Sequence, residues 1–387
     1  MNLNSLEFHL DYPAGKVLEV DQLEDVTGGM NPVYYRRTGD TLRVCSSVAR
    51  LIQDSGEFYR NPDFNPPEWF QQTVPGSVSP LHNPITWIQN RFKESNPSWY
   101  ANWQTVDKRI YKLRPHESVT ADSSTINFSP NPAISSKAEL AERVAGALTA
   151  FINRIESEYP DVQHVIFTGG KDSQIIHLVP KLDESNWHVF SAEPNYGIVM
   201  DWLESNDIKF CDSHTADTDN HETLDMLRAK IKASDLYSDP HHLRWLPVLN
   251  KIADRYESRV FFWSGTEGDT YLSYHPDYQG ETREVFWRQQ FSRAPSWQGN
   301  THQVTFNFTG APQISPYHSP EMWDVLRDYD PKLISTDDDV RPRIGDILSD
   351  GVSWPDRNPG PPTLEYETGI NSHALYFEQV RKSRRFE

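Results

Sequence analysis

Two short segments carry residue types suited to phosphate chemistry. In Thr168-Gly-Gly-Lys-Asp-Ser173, paired glycines stand where an apolar run, Val162 to Thr168, gives way to a helical pattern. Glycines let backbone N–H groups converge where a Cβ would collide, and the following helix adds the positive end of its dipole. Thr168 and Ser173 supply hydroxyl donors, Lys171 a point charge, and Asp172 a carboxylate of the kind that holds Mg2+ beside phosphate oxygens. The expected ligand is a phosphate or pyrophosphate group. A second segment, Ser264-Gly-Thr-Glu-Gly-Asp-Thr270, follows the strand-like run Arg259 to Ser264 and turns through Gly265 toward Asp269. Neither segment has the Gly-x-x-x-x-Gly-Lys-Ser/Thr spacing of a kinase-type P-loop.

Such loops need strands and helices to hold them, and the surrounding pattern provides both. From Ser136, Leu140, Val144, Leu148, Phe151, Ile152 and Ile155 recur every three or four residues, which predicts a long amphipathic helix capped by Ser135 or Ser136. Short apolar runs and helical segments then alternate. Strands are expected at Val162 to Thr168, His188 to Glu193, Ile208 to Cys211 and Arg259 to Ser264. Helices are expected at Ser173 to Leu182, Tyr196 to Asn206, Glu222 to Ala233 and Leu246 to Tyr256. This is the pattern of an α/β fold with a parallel sheet, in which ligands sit beyond the carboxyl ends of the strands. The first part of the chain is rich in Pro, Trp, Tyr and Asn. Its short β-like runs, Thr41 to Val48 and Arg109 to Leu113, mark a smaller β-rich domain, so the expected division is 1–130 and 131–387.

Composition narrows the functional classes. The chain has 387 residues, 37 basic and 55 acidic, for a net charge of −18. That balance disfavours broad contact with nucleic acid, whose affinity rests on cationic side chains. The basic cluster Arg381, Lys382, Arg384 and Arg385 reads as a solvated tail. Mean hydropathy is −0.68, and no apolar run approaches the roughly 18 residues of a membrane span. With no secretory pattern over Met1 to Asp11, the expected location is cytoplasmic. Cys45 and Cys211 are the only cysteines, too few for a disulfide framework or a cysteine-built metal centre. Adjacent His241 and His242 read as surface histidines, Trp69, Trp87, Trp99 and Trp103 as a small core, and Asp337 to Asp339 as a solvated loop.

The 168–173 loop resembles the PP-loop signature Ser-Gly-Gly-x-Asp-Ser of the ATP pyrophosphatase superfamily, with Thr168 in place of the first serine. The 264–270 segment is similar to the Ser-Gly-x-Gly-x-Asp-Glu turn of the asparagine synthetase and β-lactam synthetase family. Ile314 to Leu326, followed by Asp330-Pro-Lys332, resembles that family's Pro-Phe-x-Asp segment. The resemblance implies a sheet of adenine-nucleotide α-hydrolase type. It also implies ATP and Mg2+ as cofactors, with the metal on Asp172 and Asp269 and the nucleotide held by Thr168, Gly169, Gly170, Asp172, Ser173 and Gly265. The implied reaction adenylates a small-molecule or peptide carboxylate, releases pyrophosphate, and joins an amine to the acyl group. Lys171, Arg341 and Arg343 are the expected cations toward pyrophosphate, and Glu267 stands in for the family's acceptor-side acid. Family glutaminases use a cysteine exposed by methionine removal, whereas position 2 is Asn2. The first domain is therefore expected to be a shortened glutaminase relic without glutamine hydrolysis. Two alternatives are a PP-loop enzyme that modifies nucleotides or tRNA, and a noncatalytic nucleotide-binding relative. The oligomeric state is open, with a homodimer entertained.

Overall fold

The computed structural model describes residues 1–26, 33–61, 105, 107–114, 117–126, 134–193, 195–216, 245–273, 305–334 and 340–354. The N-terminal lobe comprises β1 (Asn2–Asn4), α1 (Ser5–Asp11), β2 (Leu18–Val20), β3 (Gln22–Glu24), β4 (Tyr34–Thr38), β5 (Thr41–Cys45), α2 (Val48–Ser55), β6 (Tyr111–Lys112), β7 (Glu117–Thr120) and β8 (Ser124–Ile126). They form two four-stranded sheets, ordered β1-β3-β7-β8 and β2-β5-β4-β6. In β2 the inward Leu18 and Val20 flank the exposed Glu19, the period-two pattern of a half-buried strand. Leu3, Phe8, Leu23, Leu42, Val44 and Val119 join them in one core, and Tyr34, Cys45, Val48, Leu51 and Ile110 form a second.

The larger lobe begins with α3 (Lys137–Glu158), where the Ser136 hydroxyl accepts the Glu139 amide as N-cap. All six apolar residues of the sequence pattern are buried on one face of α3. At roughly 1.5–3 kcal/mol per buried large side chain, that face outweighs intrinsic helix propensity in holding the helix. The rest of the lobe contains β9 (Gln163–Phe167), α4 (Lys171–Leu178), β10 (Trp187–Ala192), α5 (Asn195–Ser205), β11 (Asp212–Ala216), α6 (Leu246–Arg255), β12 (Val260–Ser264), α7 (Gly268–Leu272), β13 (Gln313–Ile314), α8 (Pro320–Leu326) and α9 (Val340–Leu348).

The five strands are all parallel and ordered β11-β10-β9-β12-β13. The protein is therefore mixed α/β, with a parallel sheet and two smaller, mainly antiparallel ones. After β9 the chain steps outward through β10 and β11, then returns to place β12 on the other side of β9. At that reversal the connections leave in opposite directions and open a crevice past the strand ends. Register puts Ser264 opposite Phe167, so the two glycine loops leave the sheet side by side.

Two expected elements shift. The third strand is Asp212–Ala216 instead of 208–211, because Ile208 and Phe210 pack against a cluster that includes Leu178, Val199, Trp202 and Leu203. Helix α4 starts at Lys171 and ends at Leu178, short of Leu182, since Pro180 has no N–H to continue it. The expected helix at 222–233 lies outside the described residues, as do His241, His242, the four tryptophans, 337–339 and the basic tail. Among the described residues no helix is long and apolar enough to cross a membrane.

Candidate functional site at the β9–β12 crevice

The two loops do more than lie side by side. A Cβ at Gly265 would fall 2.4 Å from the Ser173 amide nitrogen and 2.7 Å from the Asp172 carbonyl carbon. A Cβ at Gly268 would fall 2.7 Å from Cβ, Cγ and Oδ1 of Asp172. Only glycine permits this approach, so the 264–268 turn presses directly on the first turn of α4. The turn is braced by its own polar groups. Ser264 Oγ donates to Thr266 Oγ1 at 2.9 Å, and Ser315 Oγ donates to the Thr266 carbonyl at 2.8 Å. Glu267 adopts a left-handed φ of 69°, a conformation that costs a non-glycine residue on the order of 1 kcal/mol.

The first loop departs from the expected reason for its glycines. A Cβ at Gly169 or Gly170 would meet no heavy atom within 4 Å, and neither residue has a positive φ. The glycines leave open room over the start of α4 instead of relieving crowding within the protein. The hydroxyls also have other tasks. Ser173 Oγ accepts the Gly169 and Gly170 amides at 3.1 and 3.3 Å and donates to the Gly170 carbonyl at 2.9 Å. Thr168 Oγ1 donates to the Ile166 carbonyl at 3.2 Å and meets His177 Nε2 at 2.7 Å. Ser173 and Thr168 are 5% and 4% exposed, so both shape the loop from within and neither presents the free donor expected of it. Burial, with a smaller contribution from Lys181, pushes His177 down to about 3. Its ring stays neutral and serves as a fixed support under Thr168.

Asp172 lies where the two loops meet. Arg341 Nη1, from the first turn of α9, donates to both of its carboxylate oxygens at 3.1 Å. Tyr317 Oη donates to the Asp172 backbone carbonyl at 2.9 Å. Burial raises the Tyr317 hydroxyl well above its ordinary value, Asp172 adds to the rise, Arg341 opposes it, and Asp269 adds a smaller push. The phenol therefore remains a donor, and Asp172, Arg341 and Asp269 are all near enough for their charges to act on it. Tyr317 falls within a segment singled out in the sequence, but the spacing carries no signal for its hydrogen bond to Asp172.

The remaining expected residues divide. Lys171 opens α4 half-exposed, and Asp269 is exposed in the first turn of α7. Arg343 is exposed on α9. Two residues along a helix correspond to about 200° of rotation, so it does not share the face that carries Arg341 to Asp172. Glu267 is 3% exposed. Burial raises the Tyr271 hydroxyl well above its ordinary value and Glu267 adds to the rise, so the Glu267 carboxylate acts on the tyrosine from a position largely out of solvent. Lys332 is exposed next to Asp330.

The crevice can hold an anion: the amino end of α4, Lys171 and Arg341 adjoin open room above two glycines. Among the described residues no group of three or more His, Cys, Asp or Glu converges to hold a metal ion. Mg2+ does not fit this arrangement, because Asp172 is bound through both oxygens to a guanidinium. Comparison of the chain with models of known protein families and with curated proteins finds no match in either. The functional reading rests on this geometry and on the local resemblance of the loops.

Proposed function

We propose that the β9–β12 crevice binds the polyphosphate of ATP, and that the protein is an AMP-forming ligase joining a substrate carboxylate to an amine or ammonia. The supporting observation is the contact between the two strand-end loops, in which Gly265 and Gly268 seat the 264–268 turn on Asp172 and Ser173. The two loops meet at one reversal of a parallel sheet, and the open space over Gly169 and Gly170 supports the assignment of phosphate to it. Lys171 and Arg341 are the chain's own cations toward the departing pyrophosphate, a placement that lowers the barrier where negative charge accumulates. The substrates are a small-molecule or peptide carboxylate and an amine.

The experiment is exchange of labelled pyrophosphate into ATP across a panel of amino-acid and peptide carboxylates, with AMP release followed in parallel. Wild-type protein should exchange with at least one carboxylate, and Asp172→Asn should lose the exchange. ATP binding without any exchange or AMP would favour the second reading, a noncatalytic nucleotide-binding protein. The Arg341–Asp172 pair supports that reading, since it occupies the carboxylate that an active site would turn toward a metal.

A further inference from the structure

The contact between Asp172 and Arg341 joins side chains 169 positions apart, 18% and 12% exposed. Mostly out of water, the pair is screened less than a surface bridge. Arg341 is not brought there by a flexible segment. Its helix α9 buries Val340, Ile344 and Gly345, and at Gly345 a Cβ would lie 2.2 Å from Cζ2 of Trp354. Gly268 also faces this side chain, and a Cβ added to it would fall 2.7 Å from Asp172 Oδ1. Guanidinium and carboxylate are thus presented to each other by separately anchored elements.

The two kinds of ion that suit this crevice meet the pair differently. A divalent cation approaching Asp172 encounters a positive charge already bonded to both oxygens. A polyphosphate gives the guanidinium an alternative partner of matching geometry, because the planar fork binds phosphate oxygens through two N–H groups. The space over Gly169 and Gly170, together with Lys171, adjoins the same turn of α4.

Resting on the reading of this crevice as a nucleotide polyphosphate site, we propose that Arg341 is a displaceable occupant of the Asp172 carboxylate. It keeps divalent cations off Asp172, and a polyphosphate is the ligand able to draw the guanidinium away. A cation alone is refused, and a ligand of this site is recognised by its polyphosphate tail.

The test uses the full chain and Mn2+ as the probe, with free metal followed by electron paramagnetic resonance. Without nucleotide, wild type should bind Mn2+ no better than Asp172→Asn. Arg341→Met, which keeps much of the side chain's length without its charge, should bind it at least tenfold more tightly, and adding Asp172→Asn to that variant should abolish the gain. Arg341→Gln serves should the Met protein fail to fold, and Arg341→Lys, which keeps the charge, should still refuse the metal. In a second arm, ATP is titrated in excess EDTA: wild type should bind it, and Arg341→Met at least tenfold more weakly. Mn2+ binding to Asp172 in nucleotide-free wild type, as tight as in the Met variant, would overturn the proposal and leave the nucleotide site intact. Absence of ATP binding with and without metal would instead remove the nucleotide reading, and this proposal with it.

Discussion

Gly265 approaches Ser173 so closely that a methyl group on it would sit 2.4 Å from the Ser173 amide nitrogen. This contact joins segments that leave adjacent strands more than ninety positions apart in the chain, as the pairing of Ser264 with Phe167 requires. The two glycine-containing loops consequently form one surface, and their glycines have opposite reasons to exist.

That opposition is measurable. Gly265→Ala and Gly268→Ala insert a Cβ into backbone or the Asp172 side chain, and overpacking of this kind costs about 1–3 kcal/mol. Their thermal midpoints should fall together with nucleotide affinity. Gly169→Ala meets nothing within 4 Å, so its midpoint should stay near wild type while affinity alone declines. Equal destabilisation of all three proteins in a thermal melt would contradict this division.

Tyr317→Phe removes the side-chain donor to the Asp172 carbonyl, which keeps its place in the α4 backbone ladder. A loss of about 0.5–1.5 kcal/mol is expected in urea unfolding, with weakened nucleotide binding because the first turn of α4 loses its brace. An unchanged unfolding midpoint would show that the hydrogen bond contributes nothing.

Glu156 supports the opposite end of α4. Its carboxylate accepts the Leu182 and Asp183 amides and Trp187 Nε1, the last at 2.8 Å, while only 6% exposed. Glu156→Ala orphans several donors at once, which predicts a loss of about 2–4 kcal/mol. Nucleotide affinity of the folded fraction should change little, since the site lies at the other end of the sheet. Chemical denaturation followed by titration at low temperature checks both parts.

Stability should rise with pH between about pH 4.5 and pH 7. Burial pushes His164 and His177 down to about 3 and His188 to about 4, with neighbouring positive charge adding to each. Below the unfolded value near 6.5, the unfolded chain takes up protons that the folded chain refuses, so acid favours unfolding. Urea midpoints at pH 5 and pH 7 measure the slope, and His177→Gln should flatten it. A midpoint independent of pH over this window would contradict the neutral, buried state of these rings.

Much of this architecture was legible because it is written locally. The α3 pattern and its Ser136 cap, the apolar β9, β10 and β12, and the glycine loops all announce themselves within short windows. Strand β11 did not. It reads Asp-Ser-His-Thr-Ala at the edge of the sheet, with only Ala216 buried, whereas the apolar Ile208 and Phe210 beside it serve a different cluster. The tasks of Thr168 and Ser173 were misread for a related reason: a short hydroxyl side chain satisfies neighbouring backbone as readily as a ligand. The bonds from Arg341 and Tyr317 to Asp172 span 169 and 145 positions and exist only once α9 and the segment after β13 dock. No spacing rule reaches that far.

The most direct test of the central claim is calorimetric titration of ATP with Mg2+ into wild type and Gly170→Val. Gly170 is extended, with φ −128° and ψ −178°, and faces open room. Valine is therefore accommodated at a cost of about 1 kcal/mol as a poorer N-cap, and its side chain fills the space assigned to phosphate. The account predicts saturable binding to wild type and at least tenfold weaker binding to the folded variant. Equal affinity in the two proteins would place the nucleotide somewhere other than the β9–β12 crevice.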